Sequence, residues 1–308
     1  PSRGLGDVYK RQENPLAIST GFTGYDANVG SMRNQGFEFS GRVNIIDMPN
    51  FRWDANAMAS LNRNKVTSLT SSQDFISAGA SVIEVGRPIY TFYLSKTAGV
   101  DPATGKRLYY AYWKRGVDET GAVSNVRCDE YVTDNVSLAS LSKYYMGSRE
   151  PAVSGSLGSS FVIFKNIDLS FLTTWSIGGK VYDGLYSGTM NVQYAGNNWH
   201  KNVLRRWQKP GDVTDVPMVE IGGSAPANNS ALINASYFAI KNITLGYTFP
   251  KNWLSKMEIS ALRLFLTADN IAMFNHLDGM DPQYNFTGSV SYSYTPSRAI
   301  VAGIDIQF

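Results

Sequence analysis

Residues that could carry out chemistry are few and lie apart in the sequence. The two histidines, His200 and His276, fall outside any H-E-x-x-H pattern, and neither G-x-S-x-G nor G-x-x-x-x-G-K-[ST] occurs. Asp278 and Asp281 lie in the sequence DGMDP, where capping a turn is the simpler role. The lone cysteine, Cys128, excludes an internal disulfide and a multi-cysteine metal site. We therefore expect no enzymatic activity, no metal and no cofactor.

The composition favours a β-structure with a large apolar surface. The chain has 308 residues, of which 43% are hydrophobic, 13% aromatic and 17% charged, against about 25% charged in an ordinary soluble domain. No run approaches the roughly 18 apolar residues that a membrane helix needs. This composition suits a transmembrane β-barrel, whose strands are only half apolar, and it also suits a secreted all-β protein. The net charge of +3 is too small, and Lys and Arg are too scattered, to imply a nucleic-acid partner.

Many segments alternate apolar and polar residues with a period of two, which places the two sets on opposite faces of a strand. Charged residues recur on one face of the hairpin at 36–62, which would be costly in a dry core but acceptable against a watery lumen. The predicted strands are 18–25, 36–47, 51–62, 82–94, 106–113, 152–164, 167–177, 236–249, 259–270 and 300–308.

Short and long connections alternate along this series of strands. The short ones are 48–50, 96–104, 165–166 and 250–258, and the longer ones are 26–35, 63–81, 114–151, 178–235 and 271–297. Outer-membrane barrels have this asymmetry, with short periplasmic turns and long extracellular loops. The sequence therefore predicts an all-β fold, a transmembrane antiparallel β-barrel whose last strand ends in the periplasm.

Four stretches in order along the chain carry recognisable motifs: NVGSMRNQGFE at 28–38, FRW at 51–53 with NRNKV at 62–66, ASYFAIKNITLGYTFP at 235–250, and 264–274 with GMDP at 279–282. They resemble segments of SusC/RagA-type TonB-dependent outer-membrane transporters, in order N-x-G-x-x-x-N-x-G-x-E, F-x-W … N-x-N-K-V, A-S-Y-x-R-L-K-N-I-T-L-G-Y-T-L-P and the closing segment. Ala239 stands where that family usually has Arg.

The resemblance covers residues 14–308 and implies the C-terminal part of a 22-stranded barrel, about ten strands of it. The plug domain, the TonB box and the earlier strands would lie outside these residues. Residues 1–12, PSRGLGDVYKRQ, look like translated sequencing adapter. We therefore expect a non-native head at 1–12 and the barrel portion at 13–308, and the lack of a signal peptide then says nothing about location.

The resemblance also implies energised, TonB-dependent import of glycan fragments or peptides across the outer membrane of a Bacteroidetes-type bacterium. Implied partners are a SusD-like surface lipoprotein, the TonB-ExbB-ExbD complex acting through the N-terminal part, and the barrel assembly machinery. A passive outer-membrane porin and a secreted all-β carbohydrate-binding protein stay open as alternatives.

The candidate site residues follow from this arrangement. Polar residues on inward-facing strand positions can hydrogen-bond a hydrated substrate or hold the plug. Alternatively, they serve only as a hydrated lining of the barrel lumen. The loop aromatics Tyr194, Trp199 and Trp207 could stack on sugar faces, or pack within loops or against a lipoprotein. Phe308 is expected to be the barrel assembly signal. The candidate lumen residues are Arg42, Asn44, Asp54, Asn56, Asp168, Arg263 and Asp269.

Overall fold

The computed structural model describes residues 6–15, 24–69, 75–117, 122–193, 196–223, 225–254, 258–283, 287–291 and 294–308. Three short α-helices occur among them: α1 (Val136–Leu141), α2 (Gly184–Thr189) and α3 (Lys251–Leu254), with 3-10 turns at Lys201–Arg205 and Asn229–Ala231. The strands are β1 (Gly6–Pro15), β2 (Gly24–Met48), β3 (Phe51–Leu69), β4 (Phe75–Ala78), β5 (Ser81–Glu84), β6 (Thr91–Ser95), β7 (Thr97–Val100), β8 (Arg107–Val117), β9 (Val123–Thr133), β10 (Lys143–Ser148), β11 (Val153–Ile163), β12 (Ile167–Ile177), β13 (Lys180–Asp183), β14 (Leu232–Asn234), β15 (Tyr237–Thr248), β16 (Ala261–Asn275), β17 (Ser289–Val290) and β18 (Ala299–Gln307).

Eight of these strands form one sheet, here called the wall sheet. Their order is β1-β2-β3-β11-β12-β15-β16-β18, and every neighbouring pair is antiparallel. The strands therefore follow one another in sequence order, as in an up-and-down barrel wall. The expected all-β fold is confirmed.

The two faces of the wall sheet differ in polarity. One face is apolar but exposed, which a soluble sheet avoids and a lipid-facing sheet requires. Serine, threonine, asparagine and charged residues dominate the other face. Nearly all fully buried apolar side chains lie outside the wall sheet. Exposed members of the apolar face are Phe37, Phe39, Val43, Leu157, Phe171, Leu245, Leu264, Leu266, Ile300, Ile304 and Ile306.

From β2 to β18, connections between wall strands alternate in length as predicted, although the predicted short connection at 96–104 is not one of them. The short ones, at 49–50, 164–166 and 249–260, lie at one end of the wall strands, here called the short-connection edge. The long ones lie at the other end of the strands. The end of β18 lies on the short-connection edge, where the amide of Ser260 donates to the carbonyl oxygen of Gln307 at 2.7 Å. The last strand therefore ends on the side of the short connections, as predicted, and the assignment of that side to the periplasm stays a prediction.

The long connections, at 70–152, 178–236 and 276–298, pack against one another, and their described parts are here called the loop lobe. One buried cluster joins Val181 to Leu277 and Val290, and another joins Phe92 to Tyr182. Small sheets of β10-β6-β5-β4, β14-β13-β17 and β7-β8-β9 support these clusters. The apolar core of the chain therefore lies in the loop lobe.

Two predicted wall strands, at 82–94 and 106–113, are wrong. Residues of these segments lie instead in the small sheets of the loop lobe. In 106–113, Tyr109 and Ala111 are buried, so this strand packs its apolar face inside the loop lobe instead of exposing it. In 82–94, the neighbouring residues Val82 and Ile83 are both buried, which is burial on both faces of the strand. A wall strand has one face towards lipid and one towards water, so it cannot bury successive residues.

The predicted loop at 26–35 is wrong, because β2 runs through all of it, and the predicted loop at 63–81 is partly wrong, because β3 continues to Leu69. The long hairpin pairs polar residues with each other, and Asn64 Nδ2 donates to Asn34 Oδ1 at 2.5 Å. Hydrogen-bonded polar pairs thus extend the hairpin beyond its amphipathic part.

The chain before β2 is described only in part. Most of the strand predicted at 18–25 lies outside the described residues, since 16–23 are not among them. The backbone of Gly6–Pro15 pairs with β2, but pairing does not reveal the origin of a sequence. A non-native head at 1–12 therefore stays a prediction. Among the described residues, no helix is long and apolar enough to cross a membrane.

Candidate functional site: the polar face of the wall sheet

Three charged side chains form an ionic row on the polar face, across β12, β16 and β18. Arg263 Nε donates to Asp168 Oδ1 at 3.0 Å, and Nη2 donates to Asp168 Oδ2 at 2.6 Å. Arg263 Nη1 lies 3.4 Å from Asp305 Oδ2. Such a two-pronged guanidinium–carboxylate pair fixes both distance and orientation. About a third of each side chain of the main pair is exposed, 32% for Arg263 and 35% for Asp168, so the row faces a wet space.

A glycine makes this row possible. Arg263 must reach over β15 to meet Asp168, and Gly246 is the residue of β15 that pairs with Asp168. A Cβ at Gly246 would collide with the tips of both side chains. The absence of a side chain therefore leaves room for the ion pair to cross the strand.

A second polar row lies further along β15 and β16. Asn242 Nδ2 donates to Asp269 Oδ1 at 2.7 Å, and the hydroxyls of Thr244 and Thr267 are 2.9 Å apart. The hydroxyl of Thr244 also donates to Asn242 Oδ1 at 3.2 Å. The Asn242 amide and the two threonine hydroxyls can both accept and donate, and the Asp269 carboxylate accepts, which suits hydroxyl-rich or amide-rich solutes and water alike.

The third cluster is on the β2–β3 hairpin around Asp54. Arg52 Nε donates to Asp54 Oδ2 at 3.0 Å, and Asn44 Nδ2 donates to Asp54 Oδ1 at 3.3 Å. Arg42 Nη2 lies 3.9 Å from Asp54 Oδ1, and 73% of its side chain is exposed. The Arg42 guanidinium thus keeps most of its donors free for solvent or a solute. Asn56 lies one step along β3, with its amide over Gly158.

The opposite, apolar face carries aromatic residues at both ends of the strands. Near the short-connection edge, Trp53 and Phe161 stack with ring centroids 5.7 Å apart, and Trp53 Nε1 donates to Ser159 Oγ at 2.7 Å. Towards the loop lobe, Phe238 and Phe274 lie 6.4 Å apart. Aromatic girdles at both interfaces are typical of outer-membrane barrels, so these residues mark the edges of a lipid-facing band.

The loop aromatics and the terminal residue have different surroundings. Tyr194 lies outside the described residues, and Trp199 is 36% exposed. Trp207 packs over Gly105 and donates from Nε1 to the carbonyl oxygen of Pro102 at 2.9 Å, which fits loop packing. Phe308 is 90% exposed and directly follows β18.

The structure therefore brings most of the predicted lumen residues into three groups, and it adds partners that the sequence analysis did not select. For Asp305, the apolar–polar alternation of the terminal strand was the sequence signal that placed it on the polar face. Within the described ranges, no cluster of three or more His, Cys, Asp or Glu side chains could hold a metal ion. The added partners are Arg52, Asn242, Thr244, Thr267 and Asp305.

The known proteins that this chain resembles are TonB-dependent receptors and a peptide transporter. No protein-family model matches the chain. It is 25% identical to TonB-dependent receptor P39 of Formosa agariphila, over 96% of this chain and 32% of that receptor. It is 27% identical to TonB-dependent receptor SusC of Bacteroides thetaiotaomicron, over 91% of this chain and 27% of SusC. The solved RagAB peptide transporter matches with a TM-score of 0.78 and 25% identity, over 96% of this chain and 32% of the RagAB chain.

The chain thus spans about a third of the length of these relatives. The relatives are named as receptors and transporters, which confirms the prediction that the chain is not an enzyme. The match lies in the C-terminal part of the relatives, and the wall sheet agrees with a section of their barrel. Along nearly its whole length, the chain is therefore similar to the C-terminal part of SusC/RagA-type TonB-dependent receptors.

Proposed function

We propose that the complete protein containing this chain imports a solute across the bacterial outer membrane, driven through TonB. The observation that carries the proposal is the wall sheet itself, with an exposed apolar face, a hydrogen-bonded polar face and long connections on one edge. An apolar outside and a polar inside are what a transport barrel needs. Similarity to TonB-dependent receptors along 96% of the chain supports the energised mechanism.

The proposed solutes are glycan fragments or peptides, and the proposed partners are a SusD-like surface lipoprotein and the TonB-ExbB-ExbD complex. The match to the solved RagAB peptide transporter supports peptides, and glycan fragments follow from the family resemblance of the sequence motifs. The barrel assembly machinery is proposed to recognise the terminal strand with Phe308. Polar residues of the wall sheet, with Arg42 the most exposed of its cluster, line the path that the solute follows.

An uptake assay tests the proposal. The complete protein is produced in cells with and without functional TonB, and entry of labelled oligosaccharide and peptide pools is measured. We expect uptake only in TonB-positive cells, while binding at the surface persists in both. Equal uptake in both strains would indicate a passive porin instead, and recovery of the protein in the culture fluid would indicate a secreted binding protein.

A further inference from the structure

The loop lobe contains a half-open cavity of about 420 Å³, within the size range of small-solute pockets. The cavity lies between the start of β8, helix α2 and the chain at 217–223 and 225–230. Tyr109, Tyr182 and Tyr186 line it. Aromatic rings beside polar backbone give a surface for a solute that has both apolar and polar parts.

Arg107 brings a positive charge to this cavity. Among the described residues, its guanidinium donates no hydrogen bond and forms no ion pair. Burial lowers the pKa of Arg107, while Tyr109, Tyr186 and Asp215 act in the opposite direction. A partly buried cation without an anion is unfavourable, because water is removed and no partner replaces it.

The neighbouring acidic groups do not supply this anion. Asp134 Oδ2 lies 3.1 Å from Lys106 Nζ, and Asp215 Oδ2 lies 3.3 Å from Arg205 Nη2. Glu220 is at the cavity, but it is exposed, so solvent screens its charge. Arg107, a residue with five N–H donors, therefore lines the cavity without a carboxylate of the described residues as its ion-pair partner.

The turn before Arg107 is held in place from several sides. The carboxylate of Asp101 accepts from the amide of Ala103 at 2.9 Å and from the hydroxyl of Thr104 at 2.6 Å. The amide of Met218 donates to the carbonyl oxygen of Gly105 at 2.9 Å, and Trp207 covers Gly105. The backbone that leads into Arg107 is therefore fixed before binding, which lowers the ordering cost of the site.

We propose that this cavity binds a carboxylate group of the imported solute, with Arg107 as the anion-binding residue. The planar fork of a guanidinium matches the two oxygens of a carboxylate. Tyr186 Oη accepts from Asn202 Nδ2 at 3.3 Å and keeps its own proton to donate. This proposal rests on the proposed import function, because it takes the bound group to be part of an imported solute. The carboxylate can belong to a peptide C-terminus or to a uronic acid.

Equilibrium dialysis of the complete protein in detergent tests this proposal with two matched pairs of probes. One pair is a tripeptide pool with free C-terminal carboxylates and its amidated counterpart. The other is a uronic-acid oligosaccharide pool and its carboxyl-reduced counterpart. We expect the acidic member of one pair to bind about tenfold or more tightly than its neutral counterpart, which is typical for hydrogen bonds to charged groups. The pair that shows the difference identifies the source of the carboxylate.

Three variants show whether Arg107 causes the difference. Arg107→Gln should abolish the preference for the acid, and Arg107→Lys should keep part of it. Arg127→Gln is the matched control, since Arg127 is an exposed arginine on the neighbouring strand β9 and lies outside the cavity. Equal binding of acid and neutral probe in both pairs, or an unchanged preference in Arg107→Gln, would overturn the proposal. This binding needs no TonB, so a failure of TonB-dependent uptake alone would leave it standing.

Discussion

Arg263 is the residue that joins the most distant strands of the wall sheet through its side chain. It meets Asp168 of β12 across β15, and it meets Asp305 of the neighbouring strand β18. Asp168 and Arg263 are 95 residues apart in sequence. The ionic row therefore stabilises the arrangement of four strands at once.

We expect the pair of Asp168 and Arg263 to contribute a coupling free energy of about 1 kcal/mol to folding, because it is two-pronged but partly exposed. A double-mutant cycle with Asp168→Asn and Arg263→Gln measures it through urea titration of the protein in lipid vesicles. The same cycle with Asp305→Asn is the control. Asp305 is 61% exposed and makes one longer contact, so its coupling should be about 0.3 kcal/mol. Equal coupling in the two cycles would contradict the geometry.

At the residue scale, the sequence could predict faces but not partners. Alternation placed Asp168, Arg263 and Asp269 on the polar face. It could not show that Arg263 reaches Asp168, because that depends on the register that brings Gly246 between them. Arg107 gave no sequence signal, since its isolation depends on how three long connections fold together.

At the scale of elements, a close approach of strands depends on Gly155 of β11. A Cβ there would collide with the carbonyl oxygen of Met58 on β3 and would lie 2.6 Å from Trp175 Cζ2 on β12. At Gly41 of β2, a Cβ would meet only the ring of Phe39, at 3.5 Å. The two glycines thus differ in packing, although both lie in wall strands.

We therefore expect Gly155→Ala to lower the free energy of unfolding by about 2 kcal/mol, the usual cost of overpacking. Gly41→Ala should be neutral or stabilising by a few tenths of a kcal/mol, because alanine loses less backbone entropy. Urea titration of both variants in vesicles measures the difference. A larger loss in Gly41→Ala than in Gly155→Ala would show that the strand packing is wrong.

The elements themselves were predictable where one face meets lipid and the other meets water. The hairpins around 48–50 and 165–166 followed from strict alternation. The segments at 82–94 and 106–113 were assigned to the wrong sheet, because aromatic and β-branched residues favour a strand without specifying its neighbours. Burial of both Val82 and Ile83, visible only in the fold, makes the distinction.

At the scale of the whole molecule, the wall sheet is an open section of a barrel. Among the described strands, β1 and β18 each have one neighbour in this sheet. Unpaired strand edges promote association, and closure of a barrel removes them. The apolar core lies in the loop lobe instead, so the two parts of the chain are stabilised by different surroundings.

The two faces of the wall sheet are expected to meet lipid and water, and a spin-label scan of β12 measures this difference residue by residue. Cys128 is the lone cysteine, so Cys128→Ser gives a background in which residues 167–177 are replaced one at a time by labelled cysteine. Oxygen reports contact with lipid, and a water-soluble nickel chelate reports contact with water. We predict high oxygen accessibility at odd positions such as Leu169 and Phe171, and high nickel accessibility at even positions such as Asp168 and Ser170. Odd positions that neither reagent reaches, as in a soluble sandwich, would show that this face does not meet lipid. Accessibility without a period of two would show that the two faces of β12 do not differ.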